Sequence, residues 1–107
     1  MNEVLHSIVL IAVDSGKVNE ANDLGISVFQ FIDRDVAVRK LATGLDGSSC
    51  FSVSAVVAGN LTPCARLWID SGRNLGVVVP DLLPVELSEW FDEASEVMKG
   101  EGDDNVE

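Results

Sequence analysis

Between Leu87 and Met98 the apolar residues Leu87, Trp90, Phe91, Ala94, Val97 and Met98 recur at three- and four-residue spacing, while Glu86, Glu89, Asp92, Glu93 and Glu96 take positions between them. At 3.6 residues per turn this spacing draws one apolar stripe along a helix whose other sides are anionic. A helix of this kind owes its stability to whatever covers the stripe, so the rest of the chain must supply a matching apolar surface. Pro84 suits the first turn, the early acids complement the helix dipole, and Lys99 followed by Gly100 marks the expected end. Residues 101–107 are short and acidic and read as a frayed tail, which leaves 1–100 as a single globular domain.

The matching surface is legible in the middle of the chain. Phe51, Val53, Ala55 and Val57 fall on alternate positions with Ser52 and Ser54 between them, the pattern of a strand with one covered face. Residues 58–63 read as a loop. Cys64–Asp70 and Leu75–Val79 flank Ser71-Gly72-Arg73-Asn74 and are expected to form an antiparallel hairpin, which Pro80 ends because it cannot donate to a ladder. Upstream, Ile26–Ile32 reads as a mostly buried strand. Asp33 or Asp35 is then placed to cap a short middle helix, with Val38, Leu41, Ala42 and Leu45 inward and Gly44 and Gly47 closing it. Val4–Val13 is open to two readings: Val4, Leu5, Ile8, Val9 and Ala12 make a helical stripe, yet the solid β-branched run suits a buried strand equally well, and strand is the reading taken. Asp14-Ser15-Gly16 is turn chemistry, and 17–23 reads as a loop or short helix. The fold class that follows is α+β: a mostly antiparallel sheet of about five strands, with the middle helix and the acidic C-terminal helix packed on one face.

Charge narrows the function. The 107 residues carry 18 acids against 7 Lys and Arg, a formal net charge of −11, on a chain that is 47% hydrophobic. Such apolar content is that of a folded globule rather than of an acidic disordered segment. Residues 86–107 hold nine of the acids against Lys99 alone, so −8 of the total lies on the last helix and tail. A field of this sign repels phosphate backbones and anionic membrane surfaces, so direct nucleic-acid and membrane binding are disfavoured, and it accelerates encounter with basic proteins. A solvating role for the same face is an equally simple account.

Chemistry is sparse. His6 is the only histidine, too few for a typical zinc site, and no Gly-x-Ser-x-Gly or phosphate-loop motif is present. No catalytic residue, metal site or cofactor is therefore expected. Cys50 and Cys64 are not a Cys-x-x-Cys pair, and lie too far apart along their expected ladder for a disulfide; they read as small buried hydrophobes. The apolar run from Ile8 to Val13 is short for a membrane span and is flanked by Glu3 rather than a cation, so the reading is of a cytoplasmic protein with reduced thiols. Trp68 is expected on the sheet face opposite Leu67 and Ile69, in the core or, with Arg66, as an anchor of the kind enriched at binding hot spots.

These features point to a non-enzymatic protein-binding module. Glu86, Glu89, Asp92, Glu93, Glu96, Trp68 and Arg66 are its candidate partner-binding residues. The expected role is that of a small bacterial immunity or inhibitor protein, neutralising a basic partner such as a nuclease toxin. A phage-type nucleic-acid mimic and an oligomerising accessory protein, a homodimer through the sheet face of Trp68 or the edge at Leu75–Val79, are the alternatives.

Overall fold

The computed structural model describes residues 1–16, 18 and 25–103, with side chains described as far as residue 99. Helix α1 (Asn2–Asp14) is followed by strands β1 (Ile26–Phe31), β2 (Arg34–Thr43), β3 (Ser49–Val57), β4 (Asn60–Ile69) and β5 (Leu75–Pro80), and then by helix α2 (Val85–Asp103). The strands form one antiparallel sheet in the order β1-β2-β3-β4-β5, each beside its predecessor in the chain. Both helices lie on one face of it. The α+β class with helices on one side is therefore what the chain adopts.

The core forms where α1 and α2 meet the inner face of the sheet. Val4, Leu5, Ile8, Val9 and Ala12 of α1 and Leu87, Trp90, Phe91 and Ala94 of α2 are buried against Val36, Val38, Phe51, Val53, Ala55, Ala65, Leu67 and Ile69. The register puts these strand residues on one face: Val36 opposite Ala55, Val38 opposite Val53, Phe51 opposite Leu67 and Val53 opposite Ala65. The stripe that required a partner surface has found one.

Five local expectations are corrected. Val4–Val13 belongs to α1 and is not a strand; the residues of its helical stripe are the set that is buried. The middle helix is absent, and β2 takes its place, with Asp33 in the turn before it and Gly44 and Gly47 in the turn after it. The loop at 58–63 contracts to the two-residue turn Ala58-Gly59, with Pro63 inside β4 at a bulge opposite Ser54, where its missing N–H is tolerated. Strand β1 is not mostly buried, since Ile26 and Val28 are exposed. Helix α2 also continues past Gly100 to Asp103. The expected loop or short helix at 17–23 falls, apart from residue 18, outside the described residues, as does the tail from 104.

Two of the turns have backbone conformations that L-residues seldom adopt. Ile32 and Asp33, between the paired Phe31 and Arg34, have φ of 46° and 62°. Ala58 and Gly59, between Val57 and Asn60, have φ of 50° and 79°. Positive φ at both central residues is the requirement of a type I′ hairpin turn, whose twist matches that of the strands it joins. A β-branched residue such as Ile32 is strained there.

Candidate functional site

Helix α2 is held to the sheet by a knot at its first two turns. The Trp90 indole Nε1–H donates to the Ile32 carbonyl at 3.1 Å, fixing the strained turn against the helix. Arg34 lies over the Trp90 ring, 5.6 Å from its centroid, and Nη1 donates to the Val56 carbonyl and to Glu86 at 2.9 Å. Phe31 and Phe91 meet Trp90 edge-on with centroids at 6.3 and 4.9 Å. A cation over an aromatic face is attracted by the ring quadrupole, so Arg34 binds helix to hairpin through two kinds of contact.

This anchoring turns the remaining carboxylates outward. Glu89, Asp92, Glu93 and Glu96 are all exposed, and none of them has an ion pair among the described residues. Glu3 of α1 joins the same surface, because its carboxylate accepts a 2.7 Å hydrogen bond from the Ser95 hydroxyl of α2. That bond, more than the N-terminal ammonium and Lys99, holds the Glu3 carboxyl below its usual range. The sequence reading missed Glu3, since only the packing of α1 beside α2 reveals it. Glu86 is in the opposite position: expected among the partner-binding acids, it is paired with Arg34 instead.

Trp68 and Arg66 are not part of this surface. The register sets Trp68 opposite Cys50 and Arg66 opposite Ser52, on the outer face of the sheet, away from the helices. Trp68 is half-buried there and lies outside the core cluster, over Gly76, whose Cα side approaches the Trp68 backbone too closely to admit a larger residue comfortably. The candidate residues therefore divide between two opposite surfaces of the molecule.

The hollow beside Trp68 has a volume of about 350 Å³ and is lined by Asp46, Ser48, Asp70, Asn74, Leu75, Gly76 and Val77 as well. Its carboxylates are engaged by their own turns. Asp70 accepts from the Gly72 and Asn74 backbone N–H groups, both at 2.9 Å, and Asp46 accepts from the Ser48 hydroxyl at 2.6 Å and its N–H at 3.0 Å. These bonds lower both carboxyls from their ordinary values, stabilising anions that shape loops. Among the described residues no group of three or more His, Cys, Asp or Glu is placed to hold a metal ion.

His6 and the two cysteines also have structural surroundings. His6 Nε2 lies 3.0 Å from the Arg73 carbonyl, to which it donates, and the Arg73 guanidinium pairs with Asp14 at 2.8 Å, so α1 is tied to the β4–β5 turn at two points. Both cysteines are free and buried. Burial pushes the Cys64 thiol up to about 11 and also raises that of Cys50, where nearby Arg66 opposes the effect. No described helix is long and apolar enough to cross a membrane.

Comparison with known protein families, curated proteins and solved structures finds no match.

Proposed function

We propose that the chain is a non-enzymatic, cytoplasmic protein-binding module of the immunity or inhibitor type, which neutralises a basic partner such as a nuclease toxin through the exposed face of α2. The observation that carries this reading is the unrelieved run of like charge on a firmly anchored helix. Glu89 has Asp92 and Glu93 as helical neighbours, and Glu96 has the same two. Like charges at these spacings each cost a few tenths of a kcal/mol. A surface that only needed to be hydrated would gain stability from interspersed lysines. A surface that must meet cations has reason to keep its carboxylates unpaired, because preorganised charge raises the association rate and selects partners of opposite sign.

The test compares the wild-type chain with a variant in which Glu89, Asp92 and Glu93 and Glu96 are changed to Gln, Asn, Gln and Gln. Each serves as immobilised bait in lysate of the native cell, with elution by a salt gradient and mass spectrometry. The expected result is a basic protein retained by the wild type, released by salt and lost on the variant. An equal set of proteins on both baits would sink the proposal. Addition of excess DNA separates an inhibitor of a nucleic-acid enzyme from a binder of some other basic surface, since only in the first case does DNA compete.

A further inference from the structure

The outer face of the sheet has a composition unlike the rest of the molecule. One row of directly paired residues crosses all five strands: Ile26, Arg39, Ser52, Arg66 and Val79. Beside it run Val28, Ala37, Ser54 and Pro63, and then Gln30, Asp35, Val56 and Leu61. Among the described residues no helix covers this face, and Ile26, Val28, Leu61, Val77 and Val79 are exposed on it, Val28 at 60% and Val77 at 64%. Apolar residues concentrated on one open sheet face mark an interaction surface rather than scattered exposure. The strand positions here carry Arg39, Arg66 and Asp35, while Asp46 and Asp70 rim the hollow beside Trp68 at one end of the same face, so charges of both signs are present on it. Neither arginine has an ion pair among the described residues.

We infer that this face is the interface of a two-fold symmetric homodimer, in which two sheets pack face to face. The face is complementary to itself. In an isologous interface residue i meets j while j meets i, so a face suited to its own copy must carry opposite charges at positions the rotation exchanges. Asp35 and Arg39 lie on the outer face of β2 at equal distances on either side of Ala37. A two-fold axis crossing β2 at Ala37 places Asp35 against Arg39 of the second copy and Arg39 against its Asp35. The same rotation stacks Val28 on Val28 and sets Arg66 over Leu61 instead of over another arginine.

Size and charge distribution agree with this arrangement. Five strands at about 4.8 Å and six residues at about 3.3 Å give a face of roughly 500 Å² in plan, before the relief of side chains is counted. Interfaces begin near about 600 Å² of accessible surface per partner and are typically about 800 Å², so the face suits a modest, reversible dimer. The acidic faces of the helices end up on the two far sides of the pair, each separated from the interface by its own sheet and the thickness of α2. That distance exceeds the screening length of about 8 Å at physiological salt, so the −11 charges oppose association least in this geometry. The dimer is independent of the function proposed for α2, whose acidic surface stays exposed in it.

The test is sedimentation equilibrium of the full chain from low micromolar to millimolar concentration. The expected result is an apparent mass rising with concentration from the 11.4 kDa monomer towards twice that value. Asp35→Arg and Arg39→Asp should each weaken association at least about tenfold, because each places like charges together, while the double variant Asp35→Arg/Arg39→Asp should restore it. Both residues are exposed, so circular dichroism should show all three variants folded. A wild-type chain that remains monomeric throughout would overturn the inference, and so would a dimer that ignores the charge reversals, which would indicate pairing through a strand edge. A swap that fails to rescue would remove the two-fold axis at Ala37 and with it the proposal.

Discussion

At the residue scale the two type I′ turns make opposite use of a strained backbone. Ala58 is exposed at φ 50°, its carbonyl accepting only a long, exposed 3.4 Å bond from the Asn60 amide, whereas Ile32 packs against the core and offers its carbonyl to Trp90. Ala58→Asn, giving Asn-Gly at a turn that favours it, should therefore stabilise the fold by roughly 0.5–1 kcal/mol, read as a rise of several degrees in thermal midpoint. The same change at Ile32 should yield a loss, because apolar contact is surrendered along with the strain. Cys64 supplies a pH dependence. Its folded thiol value of about 11 lies above the ordinary 9.0, so the folded state holds the proton more tightly. Its contribution to stability is complete below pH 9 and is lost as pH rises towards 11. Urea midpoints measured across that window should fall in the wild type and fall less in Cys64→Ala, whatever the cavity costs the variant at neutral pH.

Among the elements, the attachment of α2 through Trp90 is the contact whose loss separates packing from hydrogen bonding. Trp90→Phe keeps a ring against Phe31 and Phe91 but leaves the Ile32 carbonyl without its donor, a cost of about 1–3 kcal/mol, and Trp90→Ala should cost about 3–5. Glu86→Gln should cost under about 1 kcal/mol, since the Arg34–Glu86 pair is half-exposed on the acid's side. Chemical denaturation of the three variants orders these effects. The helix itself was legible from its stripe, as were β3 and the β4–β5 hairpin from alternation around turn residues. Strand β2 was not, for reasons its burial makes plain. Val36, Ala37 and Val38 are all buried, which hides the two-residue period, and Lys40 lies on the inner face only 3% exposed, where an apolar residue would have signalled a strand. A bulge between Lys40 and Ala42 then shifts the alternation. In α1 the buried set follows the helical period alone, but the continuous apolar run from Ile8 to Val13 suits a fully buried strand equally well, so β-propensity favoured strand and packing overrode it. The acidic surface was partly legible for a similar reason: its α2 members follow from one helix, but the contribution of Glu3 and the withdrawal of Glu86 depend on contacts 92 and 52 residues apart.

For the whole molecule, charge and stability pull in different directions. If the acidic helix face is kept for binding, removing one of its charges should weaken partner capture while strengthening the fold. Glu93→Gln relieves repulsion with Glu89 and Glu96 and should raise stability by up to about 1 kcal/mol at low salt, a gain that shrinks as salt is added. Thermal midpoints at two ionic strengths would show it, and a variant less stable than the wild type would contradict the account. The strand order has a consequence for the growing chain. Because every strand pairs with the one synthesised before it, the sheet can assemble hairpin by hairpin as it leaves the ribosome, with no strand waiting for a distant mate. Helix α2 is made afterwards, and about twenty residues at 5–20 per second amount to roughly one to four seconds. During that interval part of the inner face stands open beside α1, so the nascent chain passes through a window in which an assembled but half-roofed sheet is exposed to chaperones and to neighbouring chains.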